Sequence, residues 1–201
     1  MRWSCIVSTA PSTEPVTTAE AKKQLNLTLS DDDTYIGTLI SAGRRWAEQY
    51  TRRSFVTQTR TLYLERFPSC GDCYGPYQDG AIWLPYGPKG ATSIVITYDD
   101  TNGDSQTLSS SLYRVTAGDD APRIEPAYGQ IWPSTRSQSE AVQIAYPAGY
   151  GAASSVPEPI KQAILIYVND LYEVRGDREP SNESMFSMKA LLASYVCGWE
   201  W

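Results

Sequence analysis

The stretch Val156–Val174, with the sequence VPEPIKQAILIYVNDLYEV, decides the fold of this 201-residue chain. Its early prolines suit a helical first turn. Apolar residues then recur at the helical spacings of four and three: Ile160, Ile164, Tyr167, Leu171 and Val174. Because Leu165, Val168 and Tyr172 widen this apolar face, we expect the helix to be buried on more than one side. Such a helix needs other helices beside it.

Three further segments carry helical signals. Thr17–Glu20 has the pattern of a capping box, which predicts a short helix to about Leu25. The acidic run Ser30–Asp33 starts a second helix, which apolar spacing extends to about Arg52. A last helix is predicted from about Ser181, with four residues on one face: Met185, Met188, Leu192 and Tyr195.

The middle of the chain has the pattern of β-strands. Thr57–Leu64 is rich in threonine and alternates, Ile94, Ile96 and Tyr98 share one face, and Asp100–Asp104 contains an Asn-Gly hairpin turn. The predicted fold is therefore α+β, an α-helical core of two N-terminal and two C-terminal helices with an inserted antiparallel β-sandwich or barrel-like module. The predicted segments are a flexible leader (1–15), a helical half (16–54), the β module (55–150) and a second helical half with a tail (151–201) that packs with 16–54.

Composition narrows the possible functions. The chain has no histidine, which removes the commonest general base and metal ligand. With 17 basic and 23 acidic residues its formal net charge is −6, which argues against a dedicated nucleic-acid binder. Neither a secretory signal nor an apolar run long enough to span a bilayer is evident, so we expect a soluble protein made in a cytoplasm.

The cysteines are the only residues with an enzyme-like pattern. Cys70 and Cys73 form a C-x-x-C pair, but in a Pro/Gly-rich loop rather than at a helix start, and Cys5 and Cys197 are isolated. Redox catalysis and a zinc site are both alternatives to ordinary loop thiols. The sequence predicts no catalytic residue, no metal and no cofactor.

Two groups of residues are candidates for protein contacts. Four arginines are predicted to lie on a solvated face or to pair with acids of a neighbouring copy: Arg44, Arg45, Arg52 and Arg53. Trp199 and Trp201 near the chain end, with Tyr195, are predicted either to dock on the chain's own core or to insert into a partner.

Six stretches in order resemble one protein family: VTTAEAK (16–22), RRWAEQYT (44–51), FVTQT (55–59), PAYGQIWP (126–133), AGYG (148–151) and VPEPIKQAI (156–164). Together they are similar to the head–tail connector, or head-completion adaptor, proteins of siphophages and gene transfer agents. The resemblance covers about residues 15 to 175 and leaves out the loop of Cys70 and Cys73 and the last 25 residues.

The resemblance implies a structural, non-enzymatic protein in the neck of a virion. Its copies would form a closed ring, of twelve copies in the family, between the portal and a stopper or tail-completion protein, and DNA would pass through the lumen without specific binding. A terminal segment that reaches the portal, as in the family, points to residues 181–201, and hence to Tyr195, Trp199 and Trp201 as portal contacts.

Other functions remain open from the sequence. A stopper or a tail terminator is a neighbouring role in the same particle. The excess of tyrosine and tryptophan also suits a carbohydrate- or peptide-binding β module, and Cys70 with Cys73 would suit a small enzyme.

Overall fold

A computed structural model describes residues 3–69, 77–78, 80–87, 93–116, 122–175 and 179–197. Its helices are α1 (Thr18–Gln24), α2 (Asp33–Thr51), α3 (Glu158–Glu173) and α4 (Asn182–Leu192). Its strands are β1 (Trp3–Thr9), β2 (Gln58–Leu64), β3 (Tyr77–Gln78), β4 (Ala81–Trp83), β5 (Val95–Asp99), β6 (Ser105–Thr107), β7 (Tyr113–Thr116), β8 (Arg123–Pro126) and β9 (Val142–Ala148). The α+β class and the four helices predicted from the sequence are confirmed.

The chain divides into two compact units, each described by itself below. The helical unit comprises Pro11–Val56 and Tyr150–Val196. The β unit comprises the described residues within Met1–Ala10, Thr57–Gly149 and Cys197–Trp201.

The helical unit is built around contacts of α2 with α3 and of α3 with α4. Its core joins residues far apart in sequence, such as Ile36 and Ile40 of α2 with Ile160 and Ile164 of α3, all fully buried. Gly43 permits the close approach of α3, because a Cβ at this position would lie 3.0 Å from Tyr167 Cδ1. Helix α3 is therefore needed to bury the apolar face of α2.

Local sequence signals set the helix ends. The capping box of α1 is present, with the Glu20 N–H donating to Thr17 Oγ1 at 3.2 Å and the Thr17 N–H donating to Glu20 Oε2 at 2.7 Å. At the start of α4 the Ser181 hydroxyl accepts from the Ser184 N–H at 3.2 Å. Helix α2 ends at Thr51, and its C-cap Arg52 has a φ of 54°, in the left-handed region where glycine is usual.

The β unit consists of two antiparallel sheets that share one core, as in a sandwich. The strand orders are β1-β2-β9-β5-β6 and β3-β4-β8-β7. The core combines Leu62, Ile96 and Ile144 of the first sheet with Ile82 and Ile124 of the second. Side chains alternate along each strand, so the residues between these core positions point away from the shared core.

The prediction of a flexible leader over residues 1–15 is wrong for residues 3–9. Residues 3 to 9 form β1, which pairs with β2 in the register Trp3↔Leu64 to Thr9↔Thr59. The Ser/Thr-rich composition of the segment does not predict a strand. The strand is stabilised by its pairing with β2, about fifty or more residues further along the chain, and not by local propensity.

Candidate functional site

The predicted arginine cluster separates into two kinds of residue in the structure. Arg44 and Arg53 are buried, whereas Arg45 and Arg52 are exposed. A contact with another subunit needs an accessible side chain, so Arg45 and Arg52 alone remain candidates for that role. For Arg44 and Arg53 the structure gives a different role, within their own chain.

Arg44 links three segments of the helical unit. Its Nε lies 2.6 Å from Glu14 Oε2 and its Nη2 lies 3.2 Å from Glu14 Oε1, a bidentate pair that fixes the residues before α1. Its Nη1 lies 3.1 Å from Glu48 Oε2, and Glu48 Oε1 accepts from the Phe55 N–H at 2.9 Å. A buried arginine whose three nitrogens all donate to carboxylates of its own chain positions backbone segments and is not available to a partner.

The spacing of α2 contained a signal for this burial. Arg44 and Glu48 continue, at steps of four residues, the buried stripe that begins with Ile36 and Ile40. Arg44 and Glu48 are therefore an i,i+4 pair on the apolar face, and both alternatives predicted for Arg44, a solvated face or a pair with a neighbouring copy, are wrong.

Arg53 brings together two sites predicted separately. Its Nε donates to the carbonyl oxygen of Tyr195 at 2.8 Å, and Tyr195 is half-buried against the helical core. Tyr195 ends a 3-10 turn, Ala193–Tyr195, directly after α4. The chain end is thus fixed at Tyr195, at a defined point beside the end of α2. Trp199 and Trp201 lie outside the described residues.

A second polar cluster joins the start of α2 to the end of α3. Asp32 accepts from the Tyr172 hydroxyl at 2.5 Å and from both terminal nitrogens of Arg175 at 3.2 Å. These hydrogen bonds, that of Tyr172 first and those of Arg175 next, lower the pKa of the Asp32 carboxyl. The acidic run that predicted a helix start therefore also supplies a tie between helices.

The thiol of Cys5 is partly buried beside a tyrosine hydroxyl. Cys5 Sγ lies 3.4 Å from the Tyr146 hydroxyl, which donates to the Pro85 carbonyl at 2.8 Å. Burial raises the pKa of the Cys5 thiol, outweighing the hydrogen bond with Tyr146 and the nearby Arg60, which lower it. A protonated thiol is a poor nucleophile. Cys70 and Cys73 lie outside the described residues.

Within the described ranges, no group of three or more His, Cys, Asp or Glu residues is placed to hold a metal ion. Across the same part of the chain, none of the helices has the length and apolar character needed to cross a membrane.

Exposed apolar side chains of the described residues are further features able to contact a partner. In the helical unit Leu29 and Phe186 are about three-quarters exposed, at 74% and 76%. In the β unit the most exposed are Tyr128 and Ile131, in the loop that follows β8. None of these residues was predicted as a site from the sequence, since a single exposed apolar residue has no periodic signal.

The fold is similar to that of chains in gene transfer agent (GTA) particles. Two solved structures, "Neck of empty GTA particle computed with C6 symmetry" and "Virion of native gene transfer agent (GTA) particle", contain chains with TM-scores of 0.78 and 0.77. Their identities to this chain are 20% and 21%, and in both cases 98% of this chain and 97% of the other are covered. A third, "Neck of native GTA particle computed with C12 symmetry", has a TM-score of 0.68 at 20% identity and covers 100% and 98% of the two chains.

A sequence comparison shows the family to which the chain belongs. The family model described as "Phage gp6-like head-tail connector protein" matches residues 16–116, half of the chain. The chain belongs to this family of head–tail connectors, which confirms the resemblance given by the six stretches. No curated protein sequence matches it significantly.

Proposed function

We propose that copies of this chain join side by side into a closed ring in the neck of a tailed-phage-like particle, between the portal and the tail-side proteins. DNA passes through the opening of the ring, and the protein acts by shape and contact, without catalysis. The observation that carries the proposal is the family match over residues 16–116. The likeness of the whole fold to a chain of a neck computed with C12 symmetry supports a ring of twelve copies.

The charge of the chain supports a lumen through which DNA slides. Tight binding to DNA requires cations that replace the counterions of the phosphates. A chain with a formal net charge of −6 offers few such contacts per copy and repels the DNA backbone at long range. A lumen formed by copies of such a chain lets DNA pass without binding it.

The end of the chain is the proposed portal contact. Arg53 holds Tyr195 through its backbone carbonyl, which fixes the chain four residues before Trp199 in the sequence. Trp199 and Trp201 carry large apolar rings, which are frequent anchors in protein interfaces. The exposed Arg45 and Arg52 are proposed to pair with acidic residues of the neighbouring copy.

The experiment mixes the purified chain with its portal and measures the mass of the product. We expect a complex in which a ring of this chain is attached to the portal ring. Truncation after Cys197 is expected to weaken attachment, while the thermal unfolding temperature of the chain stays the same. A chain that remains monomeric and ignores the portal would contradict the proposal, and so would turnover of a substrate by the isolated molecule.

A further inference from the structure

The loop Ala127–Pro133 presents two apolar side chains to solvent. Tyr128 is 106% exposed and Ile131 is 88% exposed, the two largest values among the exposed large apolar residues of the described chain. Two such side chains within four residues cost free energy in water unless a partner covers them. The loop carries no charged residue, which also suits a buried contact.

The loop is held in place by its own anchors. The Trp132 indole Nε1 donates to the Gly80 carbonyl at 2.7 Å, and the Trp132 ring stacks on Phe67 with centroids 4.9 Å apart. At the other end the Ala127 N–H donates to the Leu112 carbonyl at 2.9 Å. Tyr128 and Ile131 are therefore presented by a preorganised loop, so binding them needs little ordering of the backbone.

The five-stranded sheet offers a second surface without charge. The register aligns Ile6, Thr61, Ala145 and Val95 in one row across four strands, on the face that points away from the core. Ile6 and Val95, at the two ends of the row, are 48% and 51% exposed, whereas Thr61 is 7% exposed, so the accessible apolar area lies at the ends of the row. A fifth of the chain is charged, yet neither this row nor the adjacent one, from Ser4 to Thr97, contains a charged residue.

The two surfaces are distinct parts of the β unit. The loop leaves the four-stranded sheet at the end of β8, whereas the uncharged row faces outward from the five-stranded sheet. A ring is closed by heterologous contacts, in which one patch of each copy meets a different patch of the next. Two distinct uncharged patches meet this requirement, and one self-complementary patch does not.

We infer that the loop Ala127–Pro133 of one copy packs on the uncharged row of the five-stranded sheet of the next copy. The inference rests on the proposed ring. Each copy carries a formal net charge of −6, so neighbours repel wherever unpaired charges face each other. A contact of Tyr128 and Ile131 with Ile6 and Val95 avoids this repulsion and buries the exposed apolar area of both patches.

The first test is a photo-crosslink in the assembled ring. The full chain carrying Tyr128→benzoylphenylalanine is mixed with an isotope-labelled copy, assembled, irradiated and digested. We expect crosslinked peptides that contain Ile6 or Val95 and that join labelled to unlabelled chains. Crosslinks within one copy only, crosslinks to the portal or a tail-side protein, or an absence of crosslinks in an intact ring would overturn the inference. Phe186→benzoylphenylalanine, in the helical unit, is the matched control and is expected to give none of these peptides.

The second test measures the concentration at which rings form. The double variant Tyr128→Ala and Ile131→Ala, and separately Val95→Asp, are expected to raise this concentration at least about tenfold, which corresponds to about 1.4 kcal/mol. Leu29→Ala, at an exposed apolar residue of the other unit, is the control and leaves this concentration unchanged. If both variants form rings at the same concentration as the unchanged chain, the inferred contact is wrong, while the proposed ring is unaffected. If the unchanged chain forms no ring, the proposed function itself fails.

Discussion

Replacement of Arg44 by methionine tests whether this residue stabilises its own chain or serves a neighbour. Methionine keeps the apolar stem and removes the guanidinium. The loss takes the guanidinium away from the buried Glu48 carboxylate, which still accepts from the Phe55 N–H. It also takes the guanidinium away from Glu14, whose side chain is about a third exposed. Breaking a buried ion pair from one side costs about 3 to 5 kcal/mol, and we expect about 3 because Glu14 regains water.

The assay is urea unfolding of the helical signal, followed by circular dichroism. With a denaturant slope of about 2 to 3 kcal/mol per molar urea, the midpoint of Arg44→Met should fall by about 1 M. The adjacent Arg45→Met is the matched control, on the same helix but exposed, and should stay within about 0.5 kcal/mol of the unchanged chain. Equal midpoints for the two variants would refute the role assigned to Arg44.

Gly43→Val should destabilise the helical unit by about 1 to 3 kcal/mol, because the new side chain meets Tyr167 where even a Cβ lies at 3.0 Å; an unchanged unfolding midpoint would show that α2 and α3 are packed less closely. Tyr146→Phe should cost about 1 to 3 kcal/mol by leaving the buried Pro85 carbonyl without its donor, measured by thermal unfolding of the β-sheet signal, and no loss would count against this hydrogen bond. The lowered pKa of Asp32 gives stability that is present above the unfolded pKa of about 3.9 and is lost as the pH falls through the lower, folded pKa. In Asp32→Asn this acid-dependent loss should be smaller between about pH 4 and pH 2, and identical pH profiles would contradict the assignment.

The helices were predictable because their signals are local. The capping box at Thr17, the apolar spacing of α2 and α3, and the serine before α4 each act within a few residues. The hairpin at Asp100–Asp104 was predictable for the same reason, since its turn chemistry lies in five consecutive residues.

The remaining features depend on contacts distant in sequence. Strand β1 is defined by its pairing with β2, and Arg44 by Glu14, thirty residues earlier in the chain. The exposure of Tyr128 and Ile131 follows from the anchoring of Trp132 by Gly80 and Phe67, which no local pattern reports. Arg44 and Tyr128 lie in stretches that carry the family resemblance. The sequence therefore contained the motifs, whereas the physical roles of these two residues needed the structure.

The side-by-side ring is tested most directly by electron microscopy of the chain assembled on its portal. The account predicts end-on averages that show a closed ring of this chain, coaxial with the portal and with an open centre wide enough for a DNA duplex. Single copies bound at scattered positions, or a ring with a closed centre, would contradict it.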